Sequence, residues 1–265
     1  TLKTNMKKIL LISAFISAAL MSCTDNSSPN KEESLELECY SRSSDNTKNM
    51  VKDFGMYLYS QTSGNNYTGV SNPVHVVYND GWSYPQILLS EDIATIYTFS
   101  PYMETTDCTS LNLSLTNQTD YLASTETVTA SKTNPSVSIT MIHILSKINV
   151  TIDGSSSCQV KLLSVPTSAA YNLKTNKLTA GILGDLTTNT SSVLICPSSS
   201  QELKMVITYA GKQYDYTEVA KSYEAGKEYT FNLTISDNKD LVIDGDIIIT
   251  DWTPAGDYEG TVNEQ

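Results

Sequence analysis

Apolar and polar residues alternate with a period of two along most of this chain, and almost no segment has helical periodicity. Turn residues separate these segments at intervals of about 8–12 residues, a spacing typical of β-sandwiches with Greek-key connections. One weak helix is expected within Ser168–Leu178. The predicted strands are residues 35–40, 54–60, 74–78, 94–100, 137–152 (two strands, or one long bent strand), 159–165, 192–197, 203–209, 212–217, 228–235 and 241–250.

Composition agrees with an all-β fold and excludes several functions. Charged residues make up 17% of the 265 residues, below the usual figure of about 25%, while Ser, Thr, Asn and 16 Tyr are abundant. The net charge of −12 repels phosphate backbones, so no nucleic-acid partner is expected. With two His and one Arg, the chain has few groups for acid–base or nucleophilic chemistry. We therefore expect neither an enzyme nor a cofactor.

The N-terminus predicts export and a lipid anchor. Met6-Lys7-Lys8 precedes the apolar run Ile9–Met21, which fits a signal peptide and is too short to span a bilayer. Leu20-Met21-Ser22-Cys23 resembles a bacterial lipobox, in which Cys23 receives a diacylglyceryl group and further acylation such as palmitate. The alternative is an ordinary signal peptide followed by a free cysteine. We predict a signal peptide at 1–22, with residues 1–5 preceding the natural start, and a lipidated tether at 23–33 that holds the protein on the outer membrane.

The remaining chain is long enough for two small domains. Asp153-Gly154-Ser155-Ser156-Ser157 is the best candidate linker. It predicts an N-terminal β-sandwich at 34–152 and a C-terminal β-sandwich at 158–265.

Several motifs resemble the fimbrillin-like family of Bacteroidales lipoproteins, which contains donor-strand pilus subunits and surface adhesins. The resemblance implies two tandem transthyretin-like β-sandwich domains, a location on the cell surface or in a fimbrium, and assembly with other fimbrial subunits. The motifs, in chain order, are Phe54-Gly55-Met56-Tyr57-Leu58-Tyr59, Trp82 with Tyr84-Pro85, Tyr97-Thr98-Phe99-Ser100-Pro101-Tyr102, Asp120-Tyr121-Leu122, His143–Val150 (similar to the strand that closes the first domain), Ala225–Phe231 and Ile249-Thr250-Asp251-Trp252.

The resemblance also implies a protease-triggered assembly step in which a first strand is removed. Arg42, the only arginine, directly follows the predicted strand 35–40 and lies in the polar run Ser41–Asn49. Cleavage between Arg42 and Ser43 would release the lipid anchor together with a strand carrying Leu35, Leu37 and Cys39. A donor strand from another subunit would then fill the groove. The alternative is that Arg42 lies in an ordinary solvated loop.

The sequence gives weaker support for the other part of that mechanism, a strand that this chain could donate to another subunit. Ile247, Ile249 and Trp252 form a possible donor strand, but this segment could also belong to the second domain's own sheet. The last residues, Tyr258–Gln265, are polar and make a poor donor. We therefore expect a tip or accessory fimbrial subunit that mediates cell adhesion, in preference to a shaft subunit.

Candidate chemical sites have simpler explanations. His143 lies between two isoleucines and is expected to be a satisfied core residue, and His75 has no metal-ligand spacing around it. The acidic residues Asp237, Asp240, Asp244 and Asp246 lack the order of an EF-hand calcium loop. No metal site is predicted. Cys39 could form a disulfide with Cys108, Cys158 or Cys196, and the sequence leaves this pairing open.

The aromatic residues support a second function. Exposed Tyr and Trp, Trp82 among them, can stack on sugars or contact a protein ligand. A stationary lipid-anchored surface protein that binds a glycan or host protein is therefore the alternative to a fimbrial subunit. Cross-strand packing is the simpler explanation for most of the tyrosines.

Overall fold

The computed structural model describes residues 33–42 and 48–252, and this part of the chain contains strands and turns without any helix. The predicted signal peptide, the lipidation site Cys23, most of the tether, Ser43 and the C-terminal tail lie outside the described residues. The strands are β1 (Glu33–Ser34), β2 (Glu36–Arg42), β3 (Lys48–Met50), β4 (Asp53–Ser60), β5 (Val74–Tyr78), β6 (Trp82–Ser83), β7 (Leu88–Leu89), β8 (Ala94–Ser100), β9 (Leu111–Ser114), β10 (Leu122–Ser124), β11 (Val128–Ala130), β12 (Ser136–His143), β13 (Ser146–Ile152), β14 (Cys158–Pro166), β15 (Ser168–Asn172), β16 (Lys177–Ala180), β17 (Leu183–Thr187), β18 (Ser192–Ile195), β19 (Ser198–Tyr209), β20 (Lys212–Tyr223), β21 (Lys227–Ile235), β22 (Leu241–Ile243) and β23 (Ile248–Asp251).

Each segment predicted as a strand contains an observed strand, and the all-β fold class is confirmed. The predicted segments do not include β1, β3, β6, β7, β9, β10, β11, β15, β16 and β17. Two long predicted segments are each divided. Residues 137–152 form β12 and β13, and residues 241–250 form β22 and β23, separated by a turn in which Gly245 has a φ of 78°. Only glycine adopts this backbone conformation without strain, which explains the interruption.

The helix expected within Ser168–Leu178 is wrong. Residues 168–180 form the hairpin β15–β16, in which Ala169 and Tyr171 face the core and their neighbours do not. The Asn172 side chain accepts hydrogen bonds from the backbone N–H groups of Lys174 and Thr175, at 3.0 and 3.1 Å. This local turn competes with a helix and reverses the chain.

The N-terminal part is built on a nine-stranded sheet with the order β3-β2-β12-β10-β8-β4-β5-β6, to which β11 adds by pairing with β8. Its side chains enclose a core made entirely of residues between Leu35 and Met141. Phe54, Met56 and Leu58 face this core from β4, and Val137, Ile139 and Met141 face it from β12. We call this cluster the N-terminal core.

The C-terminal part is a sandwich of two sheets. One has the order β18-β13-β21-β22, with β23 also paired to β21, and the other has the order β17-β14-β19-β20. Alternate residues of β13 and β14, such as Val150 and Val160, meet in a second cluster that also includes Phe231. We call this cluster the C-terminal core.

The linker predicted at residues 153–157 does not separate the two cores, because the C-terminal core also contains Tyr57, Phe99 and Leu111 from β4, β8 and β9. β13 pairs with β18 and β21, so it belongs to the second sandwich and does not close the first. β9 also pairs with β15 across the predicted boundary. The likeness of His143–Val150 to a strand closing the first domain is therefore corrected, whereas the division into two domains stays a prediction.

Candidate functional site

The segment 33–42, called here the first strand, is built into the N-terminal core. Leu35, Leu37, Cys39 and Ser41 are all buried, while Glu36 and Glu38 face solvent. β2 runs parallel to β12, which places Leu37 beside Val137 and Cys39 beside Ile139. On its other side β2 pairs antiparallel with the short strand β3. The alternation seen in the sequence therefore corresponds to one buried and one exposed face.

The beginning of the first strand joins two sheets. β1 pairs with β7, and the N–H of Leu35 donates to the carbonyl oxygen of Ile87 at 2.9 Å. The N–H of Glu36 then donates to Pro135, beside β12, at 3.0 Å. The Tyr84 hydroxyl donates to the Leu35 carbonyl at 2.8 Å. Burial, and secondarily the Glu36 carboxylate, raises the pKa of Tyr84, which keeps this donor protonated.

The first strand ends at Arg42, whose backbone pairs with Lys48 in β3. The predicted scissile bond between Arg42 and Ser43 thus follows the last paired residue of β2 in the described chain. Ser43 lies outside the described residues.

The outward face of the first strand borders a shallow depression of about 460 Å³. Glu36, Leu37 and Glu38 line one side of it and residues 136–138 of β12 line the other. The Ser136 hydroxyl donates to the Glu36 carboxylate at 2.6 Å. The depression is open.

The Cys39 side chain is fully buried, and burial raises the pKa of its thiol. Cys108, Cys158 and Cys196 are also buried, and these three lie in the C-terminal core. Within the described residues none of the four forms a disulfide, so none ties the first strand to the rest of the structure.

The possible donor strand lies in the chain's own second sandwich. β23 pairs antiparallel with β21, and the Trp252 N–H donates to the Gly226 carbonyl at 2.8 Å. The Trp252 ring is buried and stacks on His143 with 3.9 Å between centroids. Ile247 is half-buried against the C-terminal core, whereas Ile249 is exposed. The self-pairing that the sequence left open is the arrangement observed.

Contacts within the fold account for the positions of both histidines. His143 is 2% exposed, as expected for a core residue, and its Nδ1 lies 2.9 Å from the Asp120 carboxylate. His75 stacks on Tyr102, with 3.9 Å between centroids, and bonds to Asp53. Across the described ranges no three His, Cys, Asp or Glu side chains are grouped closely enough to hold a metal ion.

Trp82 is half-buried at the β5–β6 hairpin, where it contacts Phe54 and Tyr78 edge-on at 5.9 and 5.0 Å between centroids.

Sequence reasoning did not identify Tyr84 or Ser41 as parts of the groove. The pattern 35, 37, 39, 41 would have included Ser41, but a serine carries no hydrophobic signal. The contact of Tyr84 with residue 35 is not visible in the sequence.

Comparison with known families identifies the chain. The fimbrillin-like family matches residues 41–252, and the protein belongs to this family. Its members are fimbrial and adhesion proteins and not enzymes. The match begins at Ser41, so most of the first strand precedes the matched region. A comparison with curated protein sequences yields no match.

Solved structures share the fold. A proposed cell adhesion protein from Bacteroides uniformis is 19% identical with a TM-score of 0.64, over 84% of this chain and 99% of that one. Another from Bacteroides ovatus is 16% identical with a TM-score of 0.63, over 85% and 99%. A fimbrial protein from Bacteroides ovatus is 16% identical with a TM-score of 0.50, over 77% of this chain and 49% of that one. At these identities the likeness establishes the fold alone.

In the described part of the chain, no helix is long and apolar enough to cross a bilayer.

Proposed function

We propose that this protein is a tip or accessory fimbrial subunit that accepts a strand from another subunit and contributes to cell adhesion. It is exported, anchored in the outer membrane through Cys23, and released for assembly by cleavage between Arg42 and Ser43. Cleavage detaches the first strand from the polypeptide, and a donor strand then takes its place.

The observation that carries this proposal is the position of the first strand. It supplies Leu35, Leu37 and Cys39 to the N-terminal core and ends at the only arginine of the chain. Loss of the strand would expose apolar side chains and unpaired backbone groups along β12, which a new strand can cover. β2 and β12 are parallel and distant in sequence, so a segment from another chain can replace β2 without refolding its neighbours.

A role at the tip is favoured by the state of the C-terminal strand. β23 is paired within its own sandwich and is fixed by Trp252, so this chain has no uncommitted strand within the described residues after β22. A tip subunit accepts a strand but does not have to supply one.

Arg42→Ala tests the proposal. The variant should stay lipid-anchored and monomeric, while the wild-type protein enters fimbriae that appear as a detergent-resistant ladder on gels. Arg42→Lys is the matched control: it remains a substrate for a trypsin-like protease and is not cut by an arginine-specific one. Polymers formed by Arg42→Ala would refute the cleavage step.

The half-exposed Trp82 beside Tyr78 supports the second candidate, a stationary surface lipoprotein that binds a glycan or host protein. In that case Trp82→Ala abolishes ligand binding, and Arg42→Ala has no effect on the protein's distribution.

A further inference from the structure

We infer that the strand accepted by the groove that the first strand now fills comes from a different polypeptide, and that Asp251 prevents β23 of this chain from entering another copy. The accepted strand carries two large aliphatic residues followed by two small ones at alternate positions. The inference rests on the proposed strand exchange and specifies its partner.

The resident strand defines four inward positions, occupied by Leu35, Leu37, Cys39 and Ser41. All four residues are buried, the last two completely. At the third and fourth positions the neighbours on β12 are Ile139 and Met141, which are themselves fully buried. Because a close-packed core does not take up extra methylene groups without strain, these two positions admit only small side chains. The first two positions admit leucine-sized ones.

The backbone contacts impose a further condition. The N–H groups of residues 35 and 36 donate to Ile87 and Pro135, and the carbonyl oxygens of residues 35 and 39 accept from Tyr84 and Val51. Proline at the first inward position or the position after it would lose one of these bonds. The partner is therefore an extended, proline-free segment that runs parallel to β12, as β2 does.

The sequence around β23 nearly satisfies this pattern. Aligning residues 247–253 with 35–41 puts Ile247 and Ile249 at the first two inward positions and Thr253 at the fourth. The aromatic residue Trp252 then matches Tyr40 on the outward face. The third inward position receives Asp251, and a carboxylate there would be buried among aliphatic side chains where Cys39 now sits.

In its own sandwich Asp251 is partly exposed and paired with Lys227. The same carboxylate is thus favourable in β23 and unfavourable in the groove of another copy. This difference opposes self-polymerisation and leaves the groove to a strand from another subunit.

Peptide exchange tests the inference on the full chain. Because Arg42 is the only arginine, an arginine-specific endopeptidase can cut the purified protein once. Labelled peptides are then added under reducing conditions, and their uptake is measured by fluorescence anisotropy. The set comprises residues 33–41, the same peptide with Cys39→Leu, residues 245–253, and the last peptide with Asp251→Ala.

The 33–41 peptide and the Asp251→Ala peptide should exchange in. The Cys39→Leu peptide should bind roughly 10- to 100-fold more weakly. The unmodified 245–253 peptide should bind at least about 100-fold more weakly. Equal uptake of the unmodified 245–253 peptide and the 33–41 peptide would overturn the inference and leave strand exchange intact. Failure of the 33–41 peptide to enter would instead overturn the proposed function itself.

Full-length variants give an independent measurement. After cleavage, Asp251→Ala should form homopolymers on gels, because the substitution both breaks the ion pair that helps to hold β23 against β21 and removes the carboxylate that the groove excludes. Lys227→Ala breaks the same ion pair but keeps the carboxylate, so it should remain monomeric. Polymers from both variants would mean that the ion pair merely holds β23 in place. Polymers from neither would mean that Asp251 is not the barrier. Either result contradicts the role given to Asp251.

Discussion

Leu35→Ala is the substitution that best measures how firmly the first strand is held. The Leu35 side chain is 2% exposed, and its backbone is fixed on both sides by Ile87 and Tyr84. The cavity left by alanine therefore cannot collapse easily, and we expect a loss of about 3–4 kcal/mol in the free energy of unfolding of the N-terminal core. Leu37 borders the surface depression, where water can enter, so Leu37→Ala should cost only about 2–3 kcal/mol.

Urea denaturation followed by tryptophan fluorescence measures this effect. The chain has two tryptophans, Trp82 packed against the N-terminal core and Trp252 in the C-terminal core. In a Trp252→Phe background, Trp82 reports on the N-terminal core. With an m-value of about 2 kcal/mol/M, a loss of 3 kcal/mol lowers the urea midpoint by about 1.5 M. Glu38→Ala, on the exposed face of β2, is the control and should change stability by less than about 0.5 kcal/mol. Equal midpoints for Leu35→Ala and Glu38→Ala would refute the placement of the first strand in the core.

Three further predictions follow from buried groups. Cys39 should resist alkylation in the intact protein, because burial raises the pKa of its thiol. It should react once the cleaved strand leaves, and mass spectrometry should then find the label on Cys39 while Cys108 stays protected. Trp252→Ala should destabilise the C-terminal core by about 3–5 kcal/mol in denaturant titrations, whereas Ile249→Ala, on an exposed side chain, should be nearly neutral. Burial raises the pKa of Tyr171 to about 12. The stability that the protonated Tyr171 contributes should therefore be complete below about pH 10 and lost between about pH 10 and 12. Tyr171→Phe should reduce this loss of stability at alkaline pH, measured by circular dichroism.

The strands that were predicted could be recognised because a half-buried strand shows its two faces in the sequence. The first strand is the simplest case: Leu35, Leu37 and Cys39 alternate with glutamate and tyrosine, and the structure buries the first set. His143 was expected in the core for a different local reason, because it lies between Ile142 and Ile144. Each of these inferences used only residues close in sequence.

The strand pairings were not predictable in the same way. β9 pairs with β15, and β13 pairs with β21, across separations that no local pattern encodes. The linker is predicted at residues 153–157 from its glycine and serines, but β13, which precedes it, pairs with β18 and β21, which follow it. The sequence does not predict the hairpin β15–β16, because its turn depends on hydrogen bonds from the backbone to the Asn172 side chain.

The candidate site was predictable in part. Arg42 and the alternating residues before it are visible in the sequence, and they indicate a strand that ends at a basic residue. The size limits at the third and fourth inward positions come from Ile139 and Met141, which are brought beside Cys39 and Ser41 only by the parallel pairing of β2 with β12.

The most direct test of the account is N-terminal sequencing, combined with intact mass, on protein from surface-sheared material and from the membrane fraction. The account predicts a species beginning at Ser43 in the sheared fraction, because cleavage removes the lipid and frees the first strand for replacement. A diacylated chain beginning at Cys23, found only in the membrane fraction, would contradict it and leave the first strand permanently in its groove.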